Sequence, residues 1–183
     1  NCVYEHIDWD ASAAEKCGYP HFMIKEIMEQ PEAIAKTIAP RTSNGRIELG
    51  FKHITAEMLK KVNSIKIIGC GSAYHVGFVA GYFMRAALRI PVESVLASEF
   101  RYDDPIVDEN TLAIVISQSG ETLDTLYGLR EAKKHGAKTI AIVNVVGSTI
   151  ANESEDVLYT WAGPEIAVAT TKAYSTQLVL IHL

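Results

Sequence analysis

The sequence predicts a doubly wound α/β/α sandwich around a parallel sheet of about five strands, a flavodoxin-like arrangement. Two observations carry this reading. Short, nearly unbroken aliphatic runs such as "IKIIG", "TLAIVIS" and "KTIAIVN" are apolar on both faces, as strands covered on both sides must be. Between them lie segments of helical periodicity, chiefly "AYHVGFVAGYFMRAAL" and "TLDTLYGLREAKKH". Strands that alternate with helices in this way need crossover connections, and these build a parallel sheet.

The elements follow in chain order. Residues 1–20 are mixed, with Gly18 and Pro20 as breakers. From Phe22 to Ile38 apolar residues return at helical spacing (Met23, Ile27, Ile34, Ile38), and Pro31 opens a second helix in its first turn. The polar stretch "PRTSNGR" then separates this segment from the rest. The chain thus divides into a linker and N-terminal helical arm over residues 1–44 and a compact domain over 45–183. Within the domain "TAEMLKKVN" reads as a helix, "VESVLAS" as a strand, "YDDPIVDEN" as a loop and "DVLYTW" as the last strand. "TTKAYSTQLVLIHL" closes the chain as a helix.

Composition excludes several classes of function. At 183 residues, 48% hydrophobic and 21% charged, the chain is long enough to bury a sizeable core. No apolar run is long enough to span a bilayer and no basic-then-apolar leader is present, so no membrane partner and a cytoplasmic location are expected. Cys2, Cys17 and Cys70 lack metal-ligand spacing, and an odd number of cysteines suits a reducing compartment. A net charge of −5 without a Lys/Arg cluster argues against nucleic acid. The six histidines have neither i, i+4 pairing nor cysteine partners at zinc spacing, so no metal site is expected.

The chemistry-bearing stretch is "ISQSGETLDTL", where a buried strand gives way to a helix. Ser117, Ser119 and Thr122 crowd three hydroxyls into one turn, and Gly120 permits close backbone approach. In a doubly wound sheet, ligands bind beyond the carboxyl ends of the strands where the strand order reverses. A helix starting near Thr122 directs unpaired N–H groups and a partial positive charge to that place. A small anion fits there. Helix capping alone would need one hydroxyl, not three. A second strand-to-helix turn, "GCGSAYHVG", ends in Ser72. Tyr74 stands where a dinucleotide fingerprint has its third glycine, and no P-loop lysine is present, so no cofactor is expected. Alone, Gly69 and Gly71 would signify tight strand-to-helix packing; paired with Ser117 to Thr122, they form the other wall of a pocket.

"CGSAYHVG", "SQSGETLDTL" and "GPEIAVATTKAYSTQL", together with "YPHFMIKEIMEQP" ahead of them, resemble the first sugar-isomerase (SIS) domain of the glutamine:fructose-6-phosphate amidotransferase family. The resemblance covers the chain from about Tyr19 to Leu183. It implies that Ser117, Gln118, Ser119 and Thr122 hold the phosphate of fructose 6-phosphate or glucosamine 6-phosphate. Ser72 occupies a position where threonine is usual. Ala73 departs from the family's serine and lacks its hydroxyl. Val168, Ala169 and Thr170 match the segment laid along the sugar, and also read as the entry to the last helix.

The family makes glucosamine 6-phosphate from fructose 6-phosphate and glutamine, and joins a glutaminase domain to two SIS domains. The resemblance therefore implies a fragment carrying the middle piece, with the remaining domains as partners in a longer chain. The start at Asn1 and the stop at Leu183 inside a helical pattern agree with that expectation. Cys2 does not read as the glutaminase nucleophile, because "VYEHIDWD" after it does not resemble that domain. No catalytic residue is assigned: Lys172 reads as a solvated charge in a first helical turn, and the family's ring-opening and isomerising glutamate belongs to the second SIS domain rather than to Glu165. The fragment is expected to bind a 6-phosphosugar without turning it over. Two alternatives remain open. A phosphosugar-sensing regulatory module should carry a basic helix-turn-helix, and none is visible. A stand-alone phosphosugar isomerase needs its own acid and base, and no such pair stands out. The long helix, apolar on more than one face, points to a homodimer.

Overall fold

The computed structural model describes residues 15–183; the reading of Cys2 lies outside them. The arm begins with α1 (Phe22–Met28) and α2 (Gln30–Ile38), with Pro31 in the first turn of α2, where a missing N–H is harmless. A 3-10 turn (Ala39–Arg41) follows. Within the polar stretch that follows lies a tight hairpin: β1 (Thr42–Ser43) pairs antiparallel with β2 (Arg46–Ile47). Its turn residues Asn44 and Gly45 both have positive φ, 51° and 73°, as a two-residue hairpin turn requires.

Beyond the hairpin, the "TAEMLKKVN" helix is only the single turn α3 (Ala56–Leu59), with the Thr55 hydroxyl accepting the Met58 amide. There follow β3 (Ser64–Gly69), α4 (Ser72–Leu88), β4 (Val92–Leu96), α5 (Ala97–Phe100), β5 (Thr111–Ser117) and α6 (Leu123–Lys134). The chain continues through β6 (Lys138–Val143), α7 (Thr149–Glu153), β7 (Asp156–Tyr159) and α8 (Lys172–His182). The strand expected over "VESVLAS" stops at Leu96, since its last two residues begin α5.

The five strands β3 to β7 form one parallel sheet in the order β4-β3-β5-β6-β7. The chain leaves β3 for β4 on one side, then returns to β5 on the other and proceeds outward. The order therefore reverses between β3 and β5, the place where a ligand crevice forms in such sheets.

The pleat sends alternate side chains to opposite faces, producing two cores. Ile67, Ile114 and Ile116 pack with Val76, Ala80 and Leu180 on one face; Ile68, Val115 and Val143 pack with Leu129 and Ile150 on the other. All seven residues of β5 are buried, which makes it the central strand of both cores. Each isoleucine, leucine or valine side chain among them contributes about 1.5–3 kcal/mol of burial free energy. The arm is tied to the sheet edge by polar contacts. Arg41 donates to the carbonyls of Thr37 and Tyr159 at 2.6 and 2.7 Å, and the Thr37 hydroxyl bonds the Thr160 carbonyl. Asp156 at the start of β7 accepts the amides of Lys52, His53 and Ile54 at 2.8, 3.0 and 2.7 Å.

Candidate functional site

The turns after β3 and β5 lie side by side at the reversal. Gly69 allows close strand-to-helix packing: a Cβ there would lie 3.1 Å from the backbone of Ala73 and Tyr74, a tight contact. Gly71, at φ 55° and ψ −127°, turns the chain so that α4 starts at Ser72. Thr122 is the N-cap residue of α6, yet its hydroxyl makes no capping bond. It pairs instead with the Ser117 hydroxyl at 3.0 Å, and Ser117 Oγ accepts the Gly120 amide at 3.0 Å. Ser119 Oγ accepts the Glu121 amide at 3.1 Å. The turn is thus organised by its own hydroxyls, at the N-terminus of a 12-residue helix.

A third wall comes from the connection between β7 and α8. Glu165 organises its end: one carboxylate oxygen accepts the Thr171 and Ala173 amides at 2.9 and 3.2 Å, and the other accepts the Thr170 hydroxyl at 2.9 Å. Together the three walls enclose a cavity of about 240 Å³. Of the residues singled out from the sequence, Ser72, Ala73, Ser117, Gln118, Ser119, Thr122, Val168 and Thr170 line it. Ala169 is not among the lining residues. Sequence reasoning missed Cys70, Thr125, Ala167 and Gln177, which also line it, and gave Glu165 no place in the site. Among the described residues, no lysine or arginine lines the cavity. An anion here would be held by hydroxyls, backbone amides and helix N-termini rather than by a cation.

Lys172 is not the solvated surface charge its position suggested. It is only 2% exposed and its ammonium lies 2.7 Å from Glu29 of the arm. It faces a different cavity of about 560 Å³, whose walls include Glu29, Glu32, Lys36 and Trp161. There the charges already pair with one another, Lys36 with Glu32 at 2.7 Å and Lys172 with Glu29. A further cavity of about 600 Å³ is lined almost wholly by aliphatic side chains and offers little to orient a polar ligand. Among the described residues no cluster of His, Cys, Asp or Glu could hold a metal ion, and no helix is long and apolar enough to cross a membrane.

The fold and the site together define a doubly wound α/β domain with a hydroxyl-lined cavity at its switch point. Residues 58–183 match the SIS domain, and the chain belongs to the SIS domain family. It is 58% identical over 179 residues to the isomerizing glutamine–fructose-6-phosphate aminotransferase of Clostridium tetani, and equally to that of Clostridium acetobutylicum. Each match covers 97% of this chain and 29% of the relative, so the chain spans under a third of their length. Among solved structures, the C-terminal domain of glucosamine-fructose-6-phosphate aminotransferase from Francisella tularensis superposes with a TM-score of 0.85 at 43% identity. That match covers 91% of this chain and 47% of the other.

Proposed function

We propose that this chain is the phosphosugar-binding SIS domain of a longer glutamine–fructose-6-phosphate aminotransferase, and that the cavity between β3, β5 and the β7–α8 connection takes the 6-phosphate of fructose 6-phosphate or glucosamine 6-phosphate. The observation that carries this reading is the convergence of Ser72, Ser117, Gln118, Ser119 and Thr122 on one cavity at the N-termini of α4 and α6. Relatives named for that reaction along 97% of the chain support the substrate class. Val168, Ala169 and Thr170 would lie along the sugar. The arm of residues 1–44 leads into the domain of 45–183, and the glutaminase and second SIS domains of the full-length protein supply the transfer chemistry. The assembly is a cytoplasmic homodimer.

Hydrogen bonds to a charged group contribute about 1.5–3 kcal/mol each, so four or five donors suffice to hold a phosphate without a cation. Calorimetric titration tests the reading. Fructose 6-phosphate is expected to bind more tightly than either fructose or inorganic phosphate, and absence of heat with fructose 6-phosphate at millimolar concentration would refute it.

A further inference from the structure

We propose that Glu26 of the arm is a positioning residue of this site, fixing the backbone that the sugar moiety touches; the inference rests on the phosphosugar reading above. Glu26 is 1% exposed, on α1. One carboxylate oxygen accepts the amides of Ile166 and Ala167 at 2.6 and 3.0 Å, and the other lies 3.3 Å from the Ala167 amide. Ala167 and Val168 line the cavity. A side chain 140 positions away in sequence therefore holds the wall directly.

The wall has little else to hold it there. Ile166 is 45% exposed and Val168 fully exposed, so apolar packing does not fix their place. Two carboxylates do so instead, Glu165 at the helix end of the segment and Glu26 in its middle. Glu26 is itself anchored, because the junction of α1 and α2 is bound to α8: Glu29 meets Lys172 at 2.7 Å and the Ser175 hydroxyl donates to Gln30 at 2.5 Å. The arm lies before the segment that matches the SIS family, residues 58–183. Support for the sugar-facing wall thus comes from outside the matched domain. A loop fixed before binding loses less freedom when the ligand arrives, and that gain applies only to ligand atoms the loop touches. The phosphate cradle, built from the other two turns, does not depend on it.

The test compares two ligands. In this chain, Glu26→Ala is expected to weaken fructose 6-phosphate binding about fivefold to tenfold, the worth of about one hydrogen bond, while inorganic phosphate binding changes by less than about twofold. Glu26→Gln, which keeps a carbonyl oxygen for the two amides, is expected to bind nearly as the parent does. Glu26→Asp, which keeps the charge but falls short of the loop, is expected to behave like the alanine variant. Should the alanine variant not fold, the glutamine and aspartate pair carries the test, and the reverse order in that pair overturns the proposal. Unchanged fructose 6-phosphate affinity in Glu26→Ala, or a parallel loss for both ligands, also overturns it. If the parent chain binds no fructose 6-phosphate, the underlying reading fails and this proposal with it.

Discussion

The hydroxyls of Ser117 and Thr122 stand 3.0 Å apart across the turn from β5 to α6, although Thr122 occupies the helix N-cap. A capping threonine would turn its oxygen back to the first-turn amides. Here that oxygen pairs with the Ser117 hydroxyl, and both residues line the cavity. Thr122→Val is therefore expected to leave the helix intact and to weaken fructose 6-phosphate binding about tenfold, as is Ser119→Ala. Lys172→Ala, remote from this cavity, should affect the affinity less. Calorimetry on the three variants checks this, and unchanged affinity in both hydroxyl variants would remove the phosphate assignment.

Gly120 admits no side chain. Its φ is 66°, and a Cβ there would fall 2.0 Å from Ser148 Oγ and 2.5 Å from Ser148 Cβ. Ser148 is 3% exposed and its hydroxyl has no partner among the described residues, so little room exists for it to move. Gly120→Ala is expected to cost about 2–4 kcal/mol of stability through backbone strain and overpacking together. Adding Ser148→Gly should recover the overpacking part only. Denaturant midpoints of the single and double variants separate the two contributions.

Asp156 gives the fold an acid limit. Burial opposes its ionisation, but the amides of Lys52, Ile54 and His53 together outweigh burial and hold its carboxyl below the ordinary range. A folded-state value lowered in this way adds stability above the unfolded value, about 3.9, and loses it as pH falls through the folded value. Asp156→Asn is expected to lower stability at neutral pH and to flatten its decline below about pH 4. Unfolding free energies measured from pH 6 to pH 2.5 check both effects.

These residues also mark what the sequence makes legible. β5 is buried along its whole length, and its five consecutive apolar residues, Leu112 to Ile116, between Thr111 and Ser117 read as a central strand. The hydroxyl turn after it is equally local. α5 and α7 span four and five residues, too short for a helical period to register, and α3 is legible as a helix but not in its single-turn length. Lys172 misleads because its burial depends on Glu29, 143 positions away, and the loop-holding role of Glu26 is hidden for the same reason. Long-range polar pairs leave no periodic trace.

The surface of α4 predicts assembly. Val76 is buried against the sheet, whereas Phe78, Val79 and Tyr82 are 49%, 42% and 62% exposed on the outward side. Phe78 and Tyr82 already meet edge to face with centroids 5.5 Å apart, forming a contiguous apolar strip. Light scattering at micromolar concentration is expected to give the mass of a homodimer, and Tyr82→Lys to shift it toward monomer. A monomeric parent would contradict the proposal.

The last prediction is that this chain binds the phosphosugar without converting it. Isomerisation moves a proton between neighbouring carbons, and a base must lie within hydrogen-bond reach of that proton. Among the described residues that line the cavity, Glu165 is the carboxylate. Glu165 already accepts from Thr170, Thr171 and Ala173, so abstracting a proton would mean swinging away and uncapping α8. Hydroxyls on a phosphate cannot substitute, because the phosphate keeps its charge through the reaction. Such contacts bind ground state and transition state alike, and uniform binding lowers KM without raising kcat. Fructose 6-phosphate is therefore expected to raise the melting temperature, with about 2.7 kcal/mol of stabilisation at a hundredfold excess over Kd. No glucosamine 6-phosphate should form with glutamine or with ammonium. Product above the uncatalysed background with ammonium, lost in Glu165→Gln or Lys172→Ala, would show that the domain carries its own base.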